Sequence, residues 1–233
     1  MRILLLNPPH TAIGSRCVPD DHLPPLGLLS IGGPLLDAGH QVELLDADLT
    51  NLAHDVIVDE VCRRAPEVLL VGHAGSTSAH PTIAKLTAAI RQRAPAIVIV
   101  YGGVFPTYHW REVLSEQPQV DVIVRGEGED TAVKVMAALE AGSPLDDVKG
   151  IAFRKLGAPL ATGDAPAIVD LDAYRTGWEL IDVTTGERIE PDQTWAGADT
   201  FNEECCGGTE FTRVDRLGGI LAEWHWRGPF LVY

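Results

Sequence analysis

The chain has 233 residues, 45% hydrophobic and 22% charged, enough for one sizeable α/β domain with an appendage or for two small domains. Its formal net charge of −15 repels polyphosphate backbones and anionic lipid surfaces, so nucleic acid and membrane headgroups are poor partners. No window approaches the roughly 20 apolar residues of a membrane span, and Asn7-Pro8-Pro9 ends the opening apolar run too early for a signal peptide. Cys17, Cys62, Cys205 and Cys206 lack disulfide-scaffold spacing, which implies a reducing cytoplasm.

Taken in chain order, a strand over 3–6 runs into Asn7-Pro8-Pro9-His10, and a helix over 26–38 follows Pro24-Pro25 and stops at Gly39. A strand over 42–45 and a helix over 53–64 come next. The strand at 68–71 opens into Gly72-His73-Ala74-Gly75-Ser76-Thr77, ahead of a helix over 81–93 whose Ile83, Leu86, Ala89 and Ile90 keep helical spacing. The strand at 97–100 leads into Tyr101-Gly102-Gly103-Val104-Phe105-Pro106-Thr107 and a helix over 108–116. The strand at 120–124 leads into Arg125-Gly126-Glu127-Gly128-Glu129 and a helix over 131–141. Continuous apolar runs suit strands covered on both faces. The pattern predicts a doubly wound, five-stranded parallel sheet in flavodoxin-like order, spanning 1–145. Residues 146–182 read as a short strand at 150–154, a turn at Leu156-Gly157-Ala158-Pro159, and a linker. Residues 183–233 are Gly-rich, acidic and irregular.

Ligands of such sheets gather at the carboxyl ends of the strands. A phosphoacceptor domain needs an aspartate after the third strand, where this chain has Gly72-His73. A flavodoxin offers hydroxyls after the first strand, where this chain has two prolines without N–H groups. G-x-G-x-x-G after the first strand and Walker A are both absent. What remains is a shelf of small residues, Gly72, Ala74, Gly75, Ser76, Gly102, Gly103, Gly126 and Gly128, suited to a broad, flat ligand.

Asn7-Pro8-Pro9, Pro24-Pro25-Leu26-Gly27-Leu28, Gly102-Gly103 with Pro106-Thr107, and Arg125-Gly126-Glu127-Gly128-Glu129 resemble the N-terminal cobalamin-binding domain of cobalamin-dependent radical S-adenosylmethionine enzymes. Within that group the chain is most similar to the anaerobic magnesium-protoporphyrin IX monomethyl ester oxidative cyclases, oxidoreductases of bacteriochlorophyll biosynthesis. Residues 19–27, 75–78, 101–112 and 174–182 carry that similarity, and the match runs over about residues 1–182. The resemblance implies cobalamin lying over the strand ends with its nucleotide tail inserted beside the sheet. Gly72, His73, Ala74, Gly75, Ser76 and Thr77 would contact the tail. Gly102, Gly103, Val104, Phe105, Pro106 and Thr107 would meet the tail or corrin edge, and Arg125, Gly126, Glu127, Gly128 and Glu129 the ring periphery. Pro24, Pro25 and Leu26 would close the near side.

The departures are equally concrete. Asp20-x-His22-x-x-Pro25 has proline where the D-x-H-x-x-G axial-ligand motif has glycine, and His10 and His73 are the other histidines at strand ends. The resembling enzymes continue into a radical domain whose C-x-x-x-C-x-x-C binds a [4Fe–4S] cluster with one iron open to S-adenosylmethionine. Here only Cys205-Cys206 stand in that region, so cluster and S-adenosylmethionine are expected for a full-length member. This chain alone is expected to be inactive, with a separate radical-domain protein as a candidate partner. Cys205-Cys206 reads as a metal or redox pair with His225 or as an inert loop pair, and Trp224-His225-Trp226 as a packing or docking patch. A second reading is a cofactor-free α/β interaction or regulatory domain, its shelf filled by Phe105, Tyr108 or Trp178. A hydrolase built on His73 with Ser76 or Ser78 lacks a G-x-S-x-G elbow.

Overall fold

The computed structural model describes residues 1–9, 24–49, 51–73 and 79–181, and the backbone of two strands at 209–213 and 222–226. His10, Asp20, His22, Ala74–Thr77, Ser78, Cys205 and Cys206 lie outside the described residues.

Five parallel strands, β1 (Arg2–Asn7), β2 (Gln41–Asp46), β3 (Val68–Val71), β4 (Val98–Tyr101) and β5 (Val122–Val124), alternate with helices α1 (Leu26–Asp37), α2 (His54–Arg64), α3 (His80–Arg93), the short pair α4 (Val104–Tyr108) and α5 (Trp110–Glu116), and α6 (Glu129–Ala141). Their order is β2-β1-β3-β4-β5, the flavodoxin-like winding, with Leu5 beside Leu44 and Leu70, and Val71 beside Tyr101.

The pleat sends alternate residues to opposite faces. Leu4, Leu6, Leu69 and Ile99 pack against Ile57 and Val61 of α2, Ile83, Leu86 and Ile90 of α3, and Val113 of α5. Ile3, Leu5, Leu70, Val100 and Val122 pack against Leu28 and Leu35 of α1 and Val135 and Met136 of α6. Leu5 and Leu6 are wholly buried, so truncating either to alanine is expected to cost about 3 kcal/mol.

Two further strands extend the sheet. β6 (Ile151–Lys155) pairs antiparallel with β5, and β7 (Ala158–Ala161) antiparallel with β6. The loop between them is Leu156-Gly157 alone, with φ of +51° and +82°, the left-handed pair that a two-residue hairpin turn needs. The turn is thus tighter than the sequence pattern implies: Ala158 and Pro159 already pair with Lys155 and Arg154. Pro159 is tolerated because β7 is an edge strand.

Beyond β7 the chain returns across α1. Gly177 N donates to Leu29 O at 2.9 Å, and Arg175 pairs with Asp37 at 2.6 Å. A β-carbon on Gly33 would stand 1.9 Å from Arg175 O. In a second unit, β8 (Thr209–Arg213) pairs antiparallel with β9 (Ala222–Trp226), with Thr209 opposite Trp226.

Candidate functional site

A cleft of about 280 Å³ opens at the carboxyl ends of β1, β3, β4 and β5. Its floor is apolar, formed by Leu70, Val71, Val100 and Val124, and its near wall is Leu28 and Ile31 of α1. The glycines do two different jobs. A β-carbon on Gly72 would come 3.0 Å from Leu28 Cδ2, and one on Gly128 would come 2.9 Å from Ile31 Cδ1, so these two seat α1 against the strand ends. Gly102 has only Val124 within 4.0 Å and faces open space. Gly103 (φ +111°) and Gly126 (φ +74°) supply backbone turns that a side chain would strain.

Thr107 ties the two loops together. Its Oγ1 donates to Gly103 O at 2.8 Å and accepts from Gly126 N at 3.0 Å. The stretch 125–129 is also anchored from the antiparallel side. Arg125 N donates to Gly150 O at 2.8 Å, and its guanidinium donates to Thr162 O at 3.2 Å and Asp164 Oδ1 at 2.9 Å. Glu127 Oε2 accepts from Ile168 N at 2.6 Å. The β6–β7 hairpin and the chain after it thereby hold the rim of the cleft. Glu129 differs: its Oε2 is shut off from bulk water and has no hydrogen-bond partner, and the same holds for Arg125 Nε.

Of the residues expected at the site, Pro25, Gly72, His73, Gly102, Gly103, Val104, Gly126, Glu127, Gly128 and Glu129 line the cleft. Pro24, Leu26, Phe105, Pro106, Thr107 and Arg125 do not. Phe105 turns to the opposite layer, where its ring stacks between His80 at 4.3 Å and His109 at 4.5 Å and packs on the core of α3 and α5. Burial pushes the His80 imidazole below its usual pKa, a shift opposed by Glu116 and reinforced by His109. Burial likewise pushes the Tyr101 phenol up. Asn7, Gly27, Leu28 and Ile31 also line the cleft; the first three stand in stretches that carry the family resemblance but were not expected at the site. Asn7 is buried, its Nδ2 donating to Asp46 Oδ1 at 2.8 Å. Gly27, a helix glycine with nothing within 4 Å of a β-carbon, is the signal that could have marked α1 as a wall.

None of Phe105, Tyr108 and Trp178 fills the shelf; Tyr108 is 77% and Trp178 53% exposed. Leu26, Val104 and Tyr108 stand exposed at the first turn of α1 and along α4. A volume of about 280 Å³ lies just below the usual range of ligand sites, roughly 300–1,000 Å³, so the cleft has room for one end of a large ligand rather than for the whole of it. Among the described residues no group of three or more His, Cys, Asp or Glu could hold a metal ion, and no helix is long and apolar enough to cross a membrane.

The sequence profile of the B12 binding domain matches residues 16–136. The chain is 60% identical over 183 residues to the anaerobic magnesium-protoporphyrin IX monomethyl ester cyclase of Synechocystis sp., an alignment covering 78% of the chain and 36% of that protein. It is 30% identical over 190 residues to the cyclase of Rubrivivax gelatinosus, covering 78% and 33%. The chain thus spans about a third of the length of these curated relatives. Among solved structures it superposes on the radical S-adenosylmethionine methyltransferase TsrM from Kitasatospora setae, with cobalamin and a [4Fe–4S] cluster bound, at a TM-score of 0.59 and 18% identity, covering 75% of the chain and 30% of TsrM. It superposes on the cobalamin-dependent S-adenosylmethionine radical enzyme OxsB, with aqua-cobalamin bound, at 0.56 and 19%, covering 71% and 22%. At these identities the likeness is one of fold.

Proposed function

We propose a function from one premise: the chain belongs to the B12-binding domain family. Its cleft binds cobalamin. The observation that carries this reading is the open glycine shelf inside the family match, with an apolar floor, a helix wall and one unpartnered carboxylate oxygen. These features fit a large cofactor that buries one end and lays the rest over the strand ends. Gly72, Gly102 and Gly103 would meet the nucleotide end, Pro25, Leu28 and Ile31 would form the near wall, and Val104 with residues 126–129 would border the corrin ring. Bound cobalamin supplies a cobalt centre for one-carbon or electron transfer; the chain's own residues bind, orient and shield it.

At the level of the whole protein, the reading is the cofactor shelf of an oxidoreductase of bacteriochlorophyll biosynthesis; the relatives' names support a cyclase acting on a magnesium porphyrin ester. The iron–sulfur cluster and S-adenosylmethionine would be held by a separate radical domain, and the cysteine usage supports a reducing cytoplasm as the setting. Anaerobic titration with hydroxocobalamin, desalting and a visible spectrum test the binding half. About one cobalamin retained per chain is expected; no retention overturns the reading and leaves the family fold without the cofactor.

A further inference from the structure

Four side chains that line the cleft carry polar groups: Asn7, His73, Glu127 and Glu129. Three are engaged within the protein. Asn7 donates to Asp46, Glu127 accepts from the Ile168 amide, and His73 also has a protein partner. Glu129 is the exception. It is half-buried at the first position of α6, and its Oε2 is closed to bulk water without any hydrogen bond. The residue at the N-cap of α6 is Gly128, which has no side chain to cap the helix, and Glu129 Oε2 makes no bond to the helix start in its place. A favourable charge at a helix N-terminus explains why an acid is tolerated there. It does not explain an acceptor sealed beside an apolar floor, which destabilises the empty protein. Arg125 and Glu127, its neighbours in the same acidic-glycine stretch, face the 162–168 segment instead.

The geometry points to a division of labour: Arg125 and Glu127 fasten the rim, and Glu129 is the hydrogen-bond acceptor reserved for the bound cofactor. This rests on the cobalamin reading and deepens it, because it names the chemistry the ligand must present there, an N–H or O–H donor. Cobalamin offers two sources of such donors, the primary amides around the corrin ring and the ribose hydroxyl of its nucleotide end. Inside an apolar wall such a bond is strengthened by the low local dielectric.

The test is binding by the full chain and its Glu129→Leu and Glu129→Gln variants, titrated anaerobically with hydroxocobalamin and, in parallel, with cobinamide, which has the corrin amides and lacks the nucleotide. Glu129→Leu is expected to weaken hydroxocobalamin binding about 10- to 100-fold. Glu129→Gln keeps the shape and one acceptor and is expected to lose about 3- to 10-fold. Ligand-free melting temperatures are expected at or above wild type, by up to about 6 °C for Glu129→Leu, because the sealed acceptor is removed. A loss seen with hydroxocobalamin alone places the donor on the nucleotide end; the same loss with cobinamide places it on a corrin amide. Wild-type affinity in both variants overturns the assignment while leaving the cobalamin reading intact. A wild-type chain that retains no cobalamin overturns both. If the leucine variant fails to fold, the glutamine variant decides.

Discussion

At the amino ends of the strands, arginines bind the loops together. Arg91 donates to Pro95 O, Ile97 O and Gln119 O and pairs with Asp121, whose carboxylate also accepts from Ile99 N at 2.8 Å. Arg154 donates to Leu114 O, Pro118 O and Val120 O. At the carboxyl ends of the same strands stand Gly72, Gly102, Gly103, Gly126 and Gly128, with an acid left unpartnered among them. One end satisfies its backbone from within the protein. The other is lined by glycines and by a carboxylate whose Oε2 has no hydrogen-bond partner. On the cobalamin reading, stability and binding fall at opposite ends of one sheet, and substitutions should separate them.

The sharpest separation is expected from Gly102→Val. The backbone there needs no positive φ, and a β-carbon meets only Val124 at 4.0 Å, so the side chain fills the cleft rather than the core. Cobalamin affinity, measured by equilibrium titration, is expected to fall by at least about 100-fold while the melting temperature moves by less than about 3 °C. Arg91→Ala is the mirror experiment. Removing its four bonds is expected to cost about 3 kcal/mol, lowering the melting temperature by roughly 6–12 °C, with cobalamin affinity unchanged. A binding defect in that variant would break the comparison.

A smaller effect concerns pH. His80 is lowered by burial, so the unfolded chain takes up its proton first as pH falls. Stability is intact above the unfolded pKa of about 6.5 and declines below it, until the folded imidazole also protonates. Melting curves between pH 8 and 5 should show that slope, and His80→Phe, which keeps the ring stack on Phe105, should flatten it. The smallest effect belongs to Arg2→Ala. The exposed Arg2–Glu67 pair at 3.9 Å is expected to contribute at most about 0.5 kcal/mol in chemical denaturation.

The five parallel strands were legible because each is a short run of Val, Ile and Leu, and runs such as 68–71 match the observed strand end to end. β7 was not, since Ala158-Pro159-Leu160-Ala161 looks like a turn until an edge position makes the missing proline N–H harmless. α4 was hidden for a related reason. Pro106 suggests loop, yet it sits in the first turn, where no intrahelical N–H is needed. At the cleft, the glycine loops were readable in order, but Leu28 and Ile31 look like any amphipathic face, and the packing of Phe105 on the opposite layer leaves no mark in the sequence. Which side of a five-residue helix faces the ligand is decided by packing, here the stack of His80 and His109, and no local pattern encodes it. Nor could spacing show that Arg125 and Glu127 turn toward residues 162–168, because that segment is placed by the hairpin before it.

The near wall of the cleft is held by two sets of contacts. Leu28 and Ile31 rest on Gly72 and Gly128, while the next residues of the same helix, Gly32 and Gly33, receive the side chain of Leu180 and the backbone of Arg175 and Gly177. Residues far apart in sequence thus share responsibility for one boundary of the binding space. Anyone cutting this chain to its smallest useful piece should keep it through Leu180: a fragment ending at 145 would lose both antiparallel strands, the anchors of Arg125 and Glu127, and the brace behind α1.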